Sequence, residues 1–516
     1  MGGNAPRIYH APVWSEPLIL ELTSPGERGI LTPAVDEEIK KAVGDASSLV
    51  PASARRIKEP GLPELSQAQV LRHYLRLSQM TLGMELDIDI GVGTCTMKYS
   101  PKVNERLVAG MADVHPLQDE ETMQGLLEIV YKFGDVFLRE ISGMDAFSFQ
   151  PPGGSAAAYN NAVIMRKYHE VNGELAQRNE IITTIFSHPC DAACPATAGF
   201  NLVTIYPDPE TGLPDTEALK AAVSERTAGM FITNPEDTGI FNPEIDEWTK
   251  MVHEVGGLCS YDQANANAIM GVTRAREAGF DMCFFNLHKT FSSPHGSSGP
   301  GCGGVGVVKE LEEFLPVPVV VHRDGKYHLD YDRPNSIGRV RDFMGNVQVV
   351  LRSYAWCMAM GAWGLREAAE VSMINNQYLE KKLLEVRGVT KPYSTEGRID
   401  QTRWSLEKMK EETGVGVSDL NRRVIDYGIQ SFFTSHHPWI VAEPFTPEPC
   451  ETYSKADIDY WVSVVQRVSD EAYSDPELVR SAPHNMAIHK IKSTPFDDPD
   501  RWAMTWRAYL KKRGKK

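Results

Sequence analysis

Several familiar signatures are missing from this chain of 516 residues, and each absence removes a class of function. There is no run of about 18 apolar residues, so a membrane-spanning helix is not expected. Met1 to Pro17 has no basic stretch followed by an apolar one, so no export signal is read there, and the cytoplasm is the expected compartment. Basic charge is scarce: 53 Lys and Arg stand against 69 Asp and Glu, a net charge of −16, which argues against a general nucleic-acid binder. The one basic cluster, Arg507 to Lys516, reads as a solvated terminus. The eight cysteines lack a paired framework and read as free thiols. Only Cys190 and Cys194 are close, and no second Cys/His pair accompanies them, so no metal is predicted. Fixed-period repeats and low-complexity tracts are absent too.

What is present is the composition of an ordinary globular protein, 42% hydrophobic and 24% charged. Its length calls for more than one domain. Pro17 to Leu65, rich in Pro and Gly around one helical run (Ala34 to Val43), reads as part of an N-terminal arm over 1–85. From about Pro101, helical runs such as Gln118 to Ser142 and Ser155 to Asn172 give way to alternation with short apolar runs: Ile181 to Phe186, Leu202 to Tyr206, Gly229 to Thr233, Leu258 to Tyr261 and Gly304 to Val308. Strands separated by helices predict a mostly parallel sheet in a large α/β domain over 86–350, with ligands at the carboxyl ends of its strands. A long helix from Phe343 to Val386 then bridges to a smaller α+β domain within 351–516. That domain is expected to hold Arg403 to Leu406, a helix Val417 to Tyr427, a strand Trp439 to Glu443 and a helix Ser454 to Ala472 with Ser454 as its N-cap.

Four segments carry chemistry. In Phe284 to Phe291 (FFNLHKTF) a lysine follows an apolar strand, with His288 and Thr290 beside it and Ser292, Ser293 and a glycine-rich loop after it. A lysine there is costly unless its charge is paired or lost, and imine formation removes it; a snorkelling surface lysine is the plainer alternative. Gly257 to Asn265 is an apolar strand ending in Asp262, placed to pair with a protonated ring nitrogen or simply to cap a helix. Gln150 to Ala158 (QPPGGSAAA) opens a helix on Gly153, Gly154 and Ser155, where free backbone N–H groups suit a phosphate, although Gly-Gly-Ser also occurs as a plain N-cap. Asn234 to Gly239 follows a strand, and Asn234 is a candidate donor to a phenolic oxygen. An amine, an acid, a phosphate cradle and a donor are what pyridoxal 5'-phosphate asks of a protein.

The order and wording of the segments resemble the P-protein (glycine decarboxylase) family of the glycine cleavage system, in its C-terminal-half or subunit 2 form. The resemblance is carried by Leu18 to Gly29 (LILELTSPGERG), Arg72 to Gln79, Gly93 to Asn104 (GTCTMKYSPKVN), His115 to Gly125, Asn286 to Phe291 (NLHKTF), Gly299 to Val308 and Asp330 to Asn346 (DYDRPNSIGRVRDFMGN). It implies the pyridoxal-phosphate-dependent transferase fold type I, like that of aspartate aminotransferase, with Lys289 forming the Schiff base and Asp262 paired with the pyridinium nitrogen. It also implies loss of CO₂ from glycine, transfer of the aminomethyl group to the lipoyl group of an H-protein, and a partner subunit 1 in a dimer or heterotetramer.

The chain departs from the family's wording near the expected cofactor. The phosphate-side segment reads QPPGGSAAAY, without the usual acidic residue. The loop expected to carry a ring-stacking histidine reads Ser187 to Ala196 (SHPCDAACPA); counting back from Pro195 puts Asp191 at that place, with His188 the other candidate. A small-domain strand of the HEFVLS type has become Asp400 to Ser405 (DQTRWS), which introduces Arg403, either a carboxylate clamp or a surface arginine beside Trp404. Asn265, in YDQANANA, is the other substrate candidate. A changed amino-acid substrate, or a non-catalytic scaffold role, are the alternatives these departures leave.

Overall fold

The computed structural model describes residues 6–514 except 59, 84, 85, 97, 295–300, 431–433, 492–502 and 504. Part of the glycine-rich loop expected after Ser293 therefore lies outside the described residues. The chain forms two compact units: residues 88–424 and 429–481 make up the larger, and residues 7–87, 425–428 and 482–516 the smaller.

A seven-stranded sheet organises the larger unit. Its strands are β1 (Ala146–Ser148), β2 (Glu180–Thr184), β3 (Asn201–Ile205), β4 (Thr227–Thr233), β5 (Leu258–Gln263), β6 (Met282–Asn286) and β7 (Gly303–Val307), in the spatial order β1-β7-β6-β5-β4-β2-β3. The pairs from β6 through β5, β4 and β2 to β3 are parallel, and β7 alone runs against its neighbours. The central strands β4, β5 and β6 are buried almost throughout, as strands covered on both faces must be. Helices Gly154–Val171 and Ile245–Glu254 pack on the sheet, the second through Ile245, Trp248 and Val252. The expected alternation holds, and the structure adds the short strand β1, the full extent of β6 and a hairpin of β8 (Val319–Arg323) and β9 (Lys326–Asp330).

The long bridging helix is Val347–Leu383, interrupted at Gly361, whose φ of 62° and ψ of 179° are not helical. After it come a two-stranded ribbon of β10 (Trp404–Ser405) and β11 (Pro444–Phe445) and the helices Glu407–Thr413, Val417–Val424 and Lys455–Ser474. Ser454 caps the last of these in a reciprocal capping box with Asp457. The expected strand Trp439–Glu443 is not formed. His437 and Glu443 have φ of 56° and 45°, Trp439 is largely exposed, and the strand begins only at Pro444. Positive φ at non-glycine residues on both sides of an apolar run makes it a turn.

Taken alone, the smaller unit has little core. Ala11, Leu65, Tyr427 and Ala482 are among its few buried apolar side chains, while Ile30, Leu31, Ile39, Leu49 and Ile57 are exposed. It is tied instead by polar contacts. The Asp426 carboxylate accepts from the amides of His484 and Asn485, and Glu16 pairs with His73 at 2.8 Å.

Candidate active site

Parallel strands bring their carboxyl ends to one edge, and the loops leaving that edge converge. β2 leads into a turn with His188 and the helix Cys190–Thr197; β4 leads into the turn 234–239; β5 ends at Asp262 and Gln263; β6 leads into the turn that carries Lys289. His188, Asp262, Asn265 and Lys289 line one cleft, together with Thr233, Asp237 and Asp400. Four residues singled out in the sequence thus share a cleft, and Lys289 is a buried side chain there, not a snorkelling one.

Asp262 does not cap a helix. One carboxylate oxygen accepts from the Ala264 amide at 2.8 Å, and the Cys190 thiol is directed at the other, 3.8 Å away. Burial pushes its pKa up to about 6, against the opposing pull of the Ala264 amide and the Lys289 charge. His188 is held by its amide, which donates to Thr233 Oγ1 at 3.0 Å, and by its Nδ1, which accepts from the Cys190 amide at 3.1 Å. Burial lowers its pKa to about 4, so the ring is neutral at physiological pH. His188, Cys190 and Asp262 present a ring nitrogen, a thiol and a carboxylate within 4.8 Å of one another.

Asp191, the other candidate for the stacking position, is fully buried and outside the cleft wall; it accepts from Thr233 Oγ1 at 2.9 Å and has one oxygen without a partner. Burial, and then the charge of Asp262, hold its carboxyl well above the usual range. Two adjacent buried carboxyls of this kind retain a proton between them.

The glycine turn lies beside the cleft. The helix Gly154–Val171 starts from Gly153 with no side-chain cap, which leaves its first amides open to a ligand. A Cβ on Gly154 would fall 2.7 Å from Asn286 Nδ2 at the end of β6, so the glycine turn packs closely against the strand that leads to the lysine turn. Ser155 is exposed. His288 sits over this turn, its Nδ1 accepting from the Cys302 amide at 3.2 Å. Thr290 is buried, with its hydroxyl accepting from the Ala266 amide at 2.9 Å, and so splices the lysine turn to the loop after β5.

Two candidates behave differently from the expectation. Asn234 does not line the cleft: its side-chain oxygen accepts from the Asn242 amide at 2.8 Å and its amide donates to the Asn242 carbonyl at 3.3 Å, so it closes its own loop. Asn265 spends its amide on two acids, Asp400 Oδ2 at 3.1 Å and Glu448 Oε1 at 2.8 Å. Arg403 is not a surface arginine. It is 1% exposed, lies over the Phe186 ring and approaches Asp237 at 3.5 Å, and its Nη1 has no partner. His436 Nδ1 also bonds Asp237, at 2.8 Å.

The acids around the cleft escaped the sequence reading. Burial raises Asp400 to about 6, and Glu448, behind Asn265, to about 8. In the 234–239 turn, burial raises Glu236 to about 8, while His436 and Arg403 hold Asp237 far below the usual range despite its own burial. Asp237 and Asp400 stood inside segments already singled out, so an acid beside a strand end was the available signal. Nothing in the local pattern marks His436 or Glu448.

Residues 154–315 match the family model of class-V aminotransferases, and residues 368–491 that of the glycine dehydrogenase C-terminal domain. Among solved structures, an inhibitor-bound glycine decarboxylase (P-protein) aligns with a TM-score of 0.70 at 19% identity, covering 85% of this chain and 100% of the other. A cysteine desulfurase from Escherichia coli aligns with a TM-score of 0.56 at 14% identity, covering 75% and 94%. With its sheet of one reversed strand and its lysine turn facing a strand-end aspartate, the chain has the pyridoxal-phosphate-dependent transferase fold type I. It is 43% identical over 513 residues to a probable glycine dehydrogenase (decarboxylating) subunit 2 from Pyrococcus furiosus, covering 98% of this chain and 99% of that one. It is also 41% identical to the protein of that description from Caldanaerobacter subterraneus, covering 92% and 96%. The chain belongs to the glycine dehydrogenase (decarboxylating) subunit 2 family.

Proposed function

We propose that this chain is the pyridoxal-phosphate-bearing subunit of a glycine decarboxylase, which removes CO₂ from glycine and passes the aminomethyl group to the lipoyl group of an H-protein. The observation that carries the reading is a buried lysine and a buried strand-end aspartate, Lys289 and Asp262, facing one cleft from the ends of adjacent parallel strands. The residues fit the cofactor. The amine, the acid and the neutral imidazole of His188 line one cleft, and the uncapped amides beginning at Gly154, packed against Asn286 of the strand that leads to Lys289, are the group that would hold the phosphate.

When bound, pyridoxal phosphate supplies an electron sink that allows the bond between the substrate's α-carbon and its carboxylate to break. Lys289 Nζ would be the covalent anchor. Asp262, ionised above about pH 6 and with one oxygen not taken by Ala264, would keep the ring nitrogen protonated. His188, uncharged in the cleft lining, would lie against the cofactor ring. Gly153, Gly154 and Ser155 offer amides to the phosphate, flanked by His288, while Thr290 fixes the lysine turn. Arg403 lies behind the cleft lining, but its pairing with Asp237, which is part of that lining, and its unpartnered Nη1 make it the candidate to meet the substrate carboxylate. Asn265 keeps Asp400 and Glu448 together at the cleft wall.

The same reading includes a subunit 1 partner in a dimer or heterotetramer and a cytoplasmic setting. Among the described residues no helix is long and apolar enough to cross a membrane.

The test is reconstitution. With subunit 1, lipoylated H-protein and pyridoxal phosphate, labelled bicarbonate should exchange into glycine, and omission of either protein should stop it. A complete mixture inert toward glycine, in which a larger amino acid perturbs the bound cofactor's spectrum, would replace glycine with that amino acid as substrate.

A further inference from the structure

We propose that Lys98 is a positioning residue for Lys289, clasping the turn that carries it to the acidic segment around Glu448 and Glu451. The proposal rests on the reading of Lys289 as the cofactor's lysine. A buried ammonium persists only where it is fully paired, and the Lys98 side chain is 1% exposed. Its Nζ lies 2.7 Å from Glu451 Oε1, donates to the Thr290 carbonyl at 2.8 Å and sits 4.8 Å from the centre of the Trp356 ring. The Thr290 carbonyl belongs to the residue next to Lys289. A charge-assisted bond to it fixes the peptide from which the lysine side chain departs.

The same strap grips its surroundings twice more. Ser292 Oγ donates to the Tyr99 carbonyl at 2.5 Å, and Ser292 has a φ of 55°. Thr96 has a φ of 36°, and its hydroxyl reaches both oxygens of Glu448, at 3.0 and 2.8 Å. Left-handed backbone at a β-branched residue costs energy and persists only where its surroundings impose it. Glu448 in turn bonds Asn265, which bonds Asp400 in the cleft wall. Thr96, Lys98 and Tyr99 therefore join the lysine turn, the acidic segment and the cleft wall through one short stretch of chain. A buried ion pair that only stabilised the fold would have no need to spend a hydrogen bond on this turn.

The experiment uses the full chain with pyridoxal phosphate and four readouts: the visible absorbance band, its pH midpoint, the cofactor Kd, and borohydride labelling mapped to peptides. In Lys98→Met the cofactor Kd should rise at least about tenfold, a modest fraction of what ångström-scale misplacement of a reacting group costs. The pH midpoint of the band should rise by at least about half a unit, because a nearby cation is gone and Glu451 is left unpaired. Lys98→Arg keeps the charge but cannot place a compact ammonium against the Thr290 carbonyl. It should return the midpoint toward that of the unaltered chain and leave the Kd weak. Recovery of both by arginine would show that charge alone matters and overturn the positioning role, as would a folded Lys98→Met with unchanged Kd and midpoint. Should the methionine variant fail to fold, Lys98→Arg and Glu451→Gln decide, and unchanged affinity in both overturns the proposal. Failure of the unaltered chain to take label on Lys289 would instead sink the cofactor reading itself.

Discussion

Asp262 shares its surroundings with more acids than bases, and its chemistry depends on which of them keep protons. Its pKa of about 6 means that it is a carboxylate at neutral pH and becomes neutral as the pH falls through that value. A neutral Asp262 no longer holds the ring nitrogen protonated, so cofactor affinity should fall as the pH drops below about 6; spectroscopic titration against pyridoxal phosphate at pH 5 to 8 measures it. Asp262→Asn should bind cofactor yet lose at least about a hundredfold in exchange rate, the scale of a lost preorganised electrostatic partner. Near-normal exchange would mean that another acid does this work. Lys289 and Asp262 were legible in the sequence because each interrupts an apolar strand end. The companions of Asp262 were not: Asp400 and Glu448 come from distant segments, and only the folded chain brings Asn265 between them.

The turn 234–239 and the segment 399–403 behave as one element built from two stretches of chain. Ile399 donates to the Gly239 carbonyl at 2.9 Å and Arg403 to the Thr238 carbonyl at 3.3 Å. Gly239 has a φ of 80°, and a Cβ there would lie 1.8 Å from the Gln401 carbonyl oxygen. Gly239→Ala must therefore push segment 399–403 away, and with it Arg403. We expect cofactor binding to survive and the response to amino acid to weaken at least about thirtyfold, the lower range for losing one buried charged contact. Amino-acid titration of the bound cofactor's spectrum checks this, and an unchanged response would separate Arg403 from the substrate. Elements with strong periodicity were legible, among them the strands of the sheet and the helix capped by Ser454. The β8–β9 hairpin carried its signal in Asp324-Gly325, both residues having positive φ as a two-residue hairpin turn requires, but its strands are only five residues each. Trp439–Glu443 misled because apolar content was read without its backbone.

At the scale of the whole molecule, the sheet and its helices follow the family's wording, and the departures gather in loops at the strand ends. That is why the fold was legible and the role of each cleft residue less so: burial patterns are local, whereas the cleft is assembled by topology. Counting back from Pro195 points to Asp191, yet in the fold it is His188 that faces the cleft and Asp191 that lies behind it. The buried acids also reach beyond the cleft. Glu236 and Glu448, each raised to about 8, keep at pH 7 the protons that an unfolded chain, with ordinary glutamates, releases. Through these two groups folding at neutral pH takes up about two protons, with Asp191 adding in the same direction, and by linkage the two glutamates cost nothing below pH 4, where both states hold the proton. Their cost grows as the pH rises toward 8 and is constant beyond it. Calorimetry in buffers of different ionisation enthalpy should record that uptake, with melting temperature falling from pH 6 to pH 8; a pH-independent melt without buffer dependence would contradict it. In water the folded chain is less acidic than its formula, and the solution around it pays the difference.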